Sequence, residues 1–289
     1  MNYAVCTVST PEWTPEEAVA ALRDLGFDGI EWRVADQPPG DGAPGFWAGN
    51  RCTWPFVTFE ADAPRIRALT EAAGLAMPSI GTYARCDRPA EVERAMRAAA
   101  VLGAPQLRVI LPPYEPDGSF LAHRARAREG FRMAAALAAR YGVRALLEIH
   151  HGSLAPSASA AAALLDGLDP RHVGVIHDAG NMVFEEFEEY RLGLETLGPL
   201  LAHVHLKSAA WRPAGRRPDG SLAWEANWAP LRGGMVDVPA LFAALRAVGY
   251  DGWVSFEDFS AEQPLREHLR DNLAYARGAE RAAALPQAG

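Results

Sequence analysis

Short apolar or β-branched runs alternate along this chain with longer stretches whose apolar positions recur at helical spacing. The runs are Tyr3 to Val8, Gly29 to Trp32, Met77 to Ile80, Leu107 to Ile110, Ala145 to Ile149, Val173 to Ile176, Ala202 to Leu206 and Trp253 to Phe256. Near-continuous apolar character suits strands covered on both faces, as parallel strands are. Helical patterns fill the gaps, near residues 15–25, 62–73, 89–102, 122–141, 157–167, 186–197, 237–248 and 264–282. At five helix-to-strand junctions the helical pattern ends on Gly, as in Leu25-Gly26-Phe27 and Tyr141-Gly142-Val143, where a left-handed residue can close a helix. Thr14-Pro15-Glu16-Glu17 has the composition of a helix start: a capping hydroxyl, Pro at the first position and acids in the first turn. Eight strands alternating with eight helices predict an α/β protein, a (β/α)8 barrel formed as a single domain over residues 1–289. A doubly wound open sheet is the alternative.

Two connections break the rhythm. Residues 35–61, after strand 2, and residues 208–236, after strand 7, are long, rich in Gly and Pro, and loaded with Trp. Loops of this length in a compact domain are often functional. Following strands, they are expected over the C-terminal mouth of a barrel, where active sites lie.

Composition narrows the class. Hydrophobic residues make up 49% of the 289 positions and charged ones 22%, an ordinary globular balance. A formal net charge of -8 gives no general attraction to nucleic acid. Three scattered cysteines, Cys6, Cys52 and Cys86, suggest neither a zinc knuckle nor a disulfide framework, and a reducing cytoplasm is the expected location. The chain begins without a basic, then long apolar, leader, and no window approaches the roughly 18 apolar residues of a membrane span. The expectation is a protein with neither a membrane nor a nucleic-acid partner.

Candidate chemistry gathers at the ends of the strands. "ALLEIHHG", residues 145–152, opens as a buried strand and closes on Glu148, His150 and His151. An ionised Glu there needs a partner or a metal. Asp178, His205 and Glu257 end three further strands, and Glu148 with them makes three carboxylates and one imidazole. That donor set suits one divalent ion of the Mn, Mg, Co or Zn type better than a structural zinc. In "HVHLK", His203 and His205 alternate onto one face; His205 lies nearer the mouth and is the expected ligand, while His203 reads as a core or supporting histidine. Lys207 continues that face outward, toward a substrate oxygen or Glu148.

His150 shares a strand face with Glu148 and, titrating near neutrality, can bind a substrate hydroxyl or act as a base beside a carbonyl. His151 begins the following loop. Glu31 either meets substrate or organises the mouth beside Arg33, and Asn50-Arg51 is a further candidate polar contact. Trp47, Trp54, Trp211, Trp224 and Trp228 either stack on a sugar ring or pack the loops. The acids of "FEEFEEY", residues 184–190, read as a solvated helix face.

The series "LLEIHHG", "VIHDAGN", "AHVHLK" and "GYDGWVSFE" resembles the xylose isomerase-like superfamily of sugar isomerase and epimerase TIM barrels, from "LGFDGIEWR" to the final helix. The resemblance implies that Glu148, Asp178, His205 and Glu257 hold one catalytic divalent metal. It further implies that Glu148 and Glu257 act as acid/base groups on opposite faces of a small sugar-like substrate, in a homo-oligomer. The chain departs from the ketose-epimerase pattern twice: Asn181 stands where those enzymes place His, and Trp211-Arg212 where they place Arg. Candidate substrate contacts are therefore His151, Asn181, Lys207, Arg212, Trp47 and Glu31.

The leading expectation is a metal-dependent isomerase or epimerase of a small carbohydrate, cyclitol or keto-sugar, working through an enediolate. Its alternative is a lyase or dehydratase performing β-elimination on a keto-sugar or inosose with the same metal and His150. A nuclease of the endonuclease IV type and a noncatalytic sugar-binding barrel are the remaining readings.

Overall fold

The computed structural model describes residues 1–115, 118–185 and 188–284. Its strands are β1 (Asn2–Cys6), β2 (Gly29–Val34), β3 (Ile80–Thr82), β4 (Gln106–Arg108), β5 (Arg144–Glu148), β6 (Val173–Asp178), β7 (Leu201–Leu206), β8 (Ser208–Arg216), β9 (Leu222–Ala229) and β10 (Trp253–Phe256). Its helices are α1 (Pro15–Leu25), α2 (Phe59–Ala72), α3 (Pro89–Leu102), α4 (Phe120–Tyr141), α5 (Ala158–Leu165), α6 (Ala179–Met182), α7 (Tyr190–Leu197), α8 (Val238–Ala247) and α9 (Leu265–Ala283). Among the described residues, eight parallel strands close into a barrel in the order β1-β10-β7-β6-β5-β4-β3-β2. The expected (β/α)8 architecture is present, and the open sheet is not.

Local signals act as the chain's composition requires. At the start of α1 the Thr14 hydroxyl accepts from Glu17 N–H at 3.2 Å, and the Glu17 carboxylate accepts from Thr14 N–H at 2.7 Å. The five glycines at the helix-to-strand junctions all have φ between 67° and 82°. The third strand begins at Ile80 rather than Met77, and the expected helix from 186 starts at Tyr190, residues 186 and 187 lying outside those described.

Residues 208–236 are not an irregular loop. After Lys207 the chain leaves the barrel as an antiparallel hairpin, β8 against β9, irregular between Pro213 and Arg216. Pro213, Gly215 and largely exposed side chains hide this hairpin from a reading based on hydrophobic alternation. The Trp211 indole N–H fastens it, donating to the Val183 carbonyl at 2.7 Å. The other long connection has no strand of its own and is tied down by buried Asn50, whose amide donates to the Val8 and Phe46 carbonyls. Asn50 is thus a structural tether, and Arg51 donates to the Glu12 carbonyl. Among the described residues no helix is long and apolar enough to cross a membrane.

Helix α4 packs closely on Cys86 in the loop after β3, the loop that also carries Tyr83 and Arg85. A Cβ on Gly130 of α4 would lie 2.6 Å from the Cys86 carbonyl oxygen, a backbone atom that cannot swing aside. The clash costs about 1–3 kcal/mol, against about 1 kcal/mol regained from helix propensity. Gly130→Ala is expected to lower unfolding stability by about 1 kcal/mol in denaturant titration; a gain in stability would show that the helix can shift freely.

Candidate active site

The strand register assembles an acid and imidazole cluster at the C-terminal mouth. Between β6 and β7 the pairing shifts by one residue, from Val175 opposite Leu201 to Ile176 opposite His203. In unshifted register Asp178 would face Val204; the irregularity puts it opposite His205 instead. Glu148 ends β5, and Glu257 follows β10, its N–H donating to the Leu206 carbonyl at 3.1 Å. One donor atom from each of Glu148, Asp178, His205 and Glu257 lies within 4.8 Å of all the others, and all four residues are buried. Two donors across a cation, each at about 2.0–2.4 Å, are roughly 4–5 Å apart, so the spacing fits one divalent ion. Asp178 Oδ2 is buried and faces the centre of the cluster, where its nearest positive group is the Lys207 ammonium at 2.8 Å, a place a bound cation would also occupy.

Positive groups compensate the acids. Lys207 Nζ lies 2.8 Å from Asp178 Oδ2 and 3.8 Å from Glu148 Oε1, and pairs closely with Glu257. Arg108 donates to Glu148 Oε2 at 2.5 Å and to the Thr82 carbonyl at 3.1 Å. Burial pushes the Glu148 carboxyl up, but Arg108, His205 and Lys207 more than offset it and hold it well below the usual range. Burial likewise pushes Lys207 down, while Asp178, Glu257 and Glu148 raise it above an ordinary lysine.

Beneath the cluster Glu31 is fully buried, accepting from His203 Nε2 at 3.0 Å and His205 Nε2 at 3.1 Å. An ionised carboxylate only accepts, so both Nε2 atoms carry hydrogens. Burial raises Glu31, and the two imidazoles then depress it well below a free carboxylate. His205 is left with Nδ1 directed at Glu148, Asp178 and Glu257, at 3.1, 3.7 and 3.7 Å. This is the orientation a carboxylate imposes on a metal-binding histidine.

Above the cluster opens a cavity of about 560 Å³. Glu148, Glu257, Lys207, His150, His151 and Trp47 line it. His150 stands on its exposed rim, with Nδ1 2.6 Å from the His151 carbonyl. Asn181 is buried beside Glu148, Nδ2 donating to the Ile149 carbonyl at 2.9 Å and reaching Glu148 Oε1 at 3.5 Å.

Three expected substrate contacts, Asn181, Glu31 and Arg212, are not brought to the cavity; Asn181 is buried behind Glu148 with its amide held by the Ile149 carbonyl. Glu31 is sealed below the cluster because both imidazoles bind it there, and Arg212 projects from the exposed hairpin opposite Glu225. Of the remaining tryptophans, Trp228 reaches the cavity, Trp54 packs edge-on to Trp32 in the core, and Trp224 is exposed. His177 points away from the cluster, near Tyr190, and burial pushes its imidazole down to about 4. Two of the acids of 184–190 do more than solvate a face, Glu186 lying outside the described residues: Glu188 accepts from Ala158 N–H at 2.8 Å at the start of α5, and Glu189 caps α7.

Arg108, Tyr83, Phe184 and Phe259 complete the wall without having been singled out in the sequence. Arg108 had a signal, a lone charge within the apolar run Leu107 to Ile110. The aromatic residues had none, since nothing local distinguishes them from core residues.

Fold and site together define a barrel enzyme-like architecture with a buried group able to hold a divalent cation at its mouth. The chain belongs to the xylose isomerase-like TIM barrel family, whose sequence profile matches residues 19–279. It is 27% identical over 134 residues to an inosose dehydratase from Geobacillus thermodenitrificans, a match spanning 45% of each chain, so less than half of that relative's length. Among solved structures, a 3-keto-D-glucoside 4-epimerase from E. coli is similar at TM-score 0.70 and 21% identity, covering 96% of this chain and 99% of that one. A D-psicose 3-epimerase from Clostridium cellulolyticum is similar at TM-score 0.71 and 16% identity, covering 97% and 99%. These structural likenesses establish the fold.

If Glu31 orients His205, Glu31→Gln should weaken Mn binding about 10–100-fold, read by calorimetric titration of the metal-stripped protein. Unchanged affinity would confine Glu31 to a packing role.

Proposed function

We propose that the protein catalyses proton transfer beside the carbonyl of a sugar-like substrate, as a divalent-metal-dependent isomerase or epimerase. The observation that carries this reading is a pair of carboxylates, Glu148 and Glu257, which line one cavity from strands separated by two others around the barrel. The epimerase relatives and the inosose dehydratase relative act on compounds of this class, as their names state, and support the choice of substrate.

A divalent ion held by Glu148, Asp178, His205 and Glu257 would polarise the substrate carbonyl and offset the negative charge developing on its oxygen. The native ion is proposed to be Mn or Mg, because three of the four donors are carboxylates. Glu148, kept ionised by Arg108, His205 and Lys207, is suited to accept the proton from carbon, and Glu257 to return one from the other side. Lys207 remains an ammonium and can donate to an enediolate oxygen. The aromatic residues around the mouth exclude water from the charged intermediate.

One observation favours elimination as a second outcome. His150 lines the cavity outside the acid cluster, where it can hand a proton to a departing oxygen. Both reactions begin with removal of the same proton.

The test is solvent exchange. Keto-glucosides and ketohexoses incubated with the Mn-loaded protein in deuterium oxide should gain deuterium at the carbon beside the carbonyl, read by proton NMR. Glu148→Gln and Glu257→Gln should each slow this exchange about 10²–10⁴-fold. Absence of exchange on every ketose would overturn the reading. An epimer as product marks the first reaction, and loss of water or an aglycone the second.

A further inference from the structure

We propose that the cavity takes a keto-glycoside whose aglycone is an aromatic ring, with the sugar over the acid cluster and the ring held in an apolar chamber beside it. The proposal rests on the sugar-directed reading of the acid cluster and names the substrate class within it.

The chamber has two walls. One is the segment 109–113, Val-Ile-Leu-Pro-Pro, which follows β4 and faces the cavity. Its side chains offer no hydrogen-bonding group. Its backbone has few free donors: Val109 N–H is spent on the Leu146 carbonyl at 2.8 Å, Ile110 N–H on the Ala84 carbonyl at 2.9 Å, and Pro112 and Pro113 have no N–H. A sugar ring laid against this wall would leave its hydroxyl oxygens short of donors, which is costly.

The other wall is an aromatic arc. Trp47, Phe259, Trp228 and Phe184 succeed one another with ring centroids 5.0, 5.1 and 4.7 Å apart, and Phe184 stacks on His151 at 4.3 Å. Trp47 nevertheless keeps 49% of its surface exposed while lining the cavity. Such an arc favours an aromatic guest by stacked and edge-on contacts.

Two polar groups near the chamber are already engaged. Asp87 holds Arg85 at 2.9 and 2.7 Å, and the Ser153 hydroxyl donates to the His150 carbonyl at 2.7 Å. Groups suited to hydroxyls and a carbonyl concentrate instead at Glu148, Glu257, Lys207 and His150. The cavity is therefore divided into a polar floor and an apolar side, and at about 560 Å³ it falls within the size of sites that enclose drug-sized ligands.

The experiment is calorimetric titration of the metal-loaded full chain with the methyl and phenyl forms of one keto-glucoside, and separately with phenol. The phenyl form should bind at least about tenfold more tightly than the methyl form, from the apolar area it removes from water. That ratio should fall to within about threefold in Leu111→Asn and in Trp47→Ala, both at partly exposed positions where the fold tolerates change. Equal affinity of the two glucosides for the unaltered protein would overturn the chamber, and so would a ratio unchanged in both variants; either result leaves deuterium exchange, and hence the proton-transfer reading, intact. Phenol binding that depends on Trp47, with neither glucoside bound, would instead overturn the sugar reading and the glycoside proposed here.

Discussion

Three carboxylates buried within 4.8 Å of a shared imidazole repel one another in a medium that screens poorly, and everything at the mouth of this barrel answers that constraint. Lys207 enters among them just past the end of β7, Arg108 grips Glu148 from β4, and His205 stands between the cluster and a fourth carboxylate, Glu31. A divalent cation would meet the same demand more completely, with the carboxylates as direct ligands rather than partners of a flexible ammonium. The balance also explains why the cluster can sit in a buried place: each acid has a positive or donating neighbour.

The barrel supplies the geometry that this balance needs. Closed parallel strands direct their C-terminal ends to one mouth, and the pairing shift between β6 and β7 puts Asp178 opposite His205. Below, Glu31 fixes which nitrogen of His205 faces the acids. Above, the hairpin β8–β9 delivers Trp228, while Lys207 Nζ lies 5.1 Å from that ring and 5.2 Å from Phe259. The aromatic wall and the charged floor therefore meet at one side chain.

The architecture was legible because parallel strands need apolar runs and helices need ends, and both leave local marks such as Thr14 and the junction glycines. The acid cluster was legible because charge at the end of an apolar strand is unusual for each of Glu148, Asp178, His205 and Glu257. The hairpin was not, since its stability owes little to an alternating apolar face and its Pro and Gly resemble loop residues. Nor was the fate of Glu31 or Arg212: alternation tells which face a residue takes, but not whether two imidazoles seal it or a hairpin carries it away. Arg108 carried a local mark, a lone charge in an apolar run, but its partner Glu148 is reached across paired strands, a relation that sequence spacing does not express.

Whether the cluster takes up a divalent cation decides the chemistry of the mouth. Anomalous diffraction at the manganese edge, from crystals grown with Mn, tests it directly. One strong peak is expected within about 2.0–2.4 Å of donor atoms of Glu148, Asp178, His205 and Glu257, with the Lys207 ammonium moved aside. Crystals with no peak there, and Lys207 still paired to Asp178 and Glu257, would contradict a divalent-cation site.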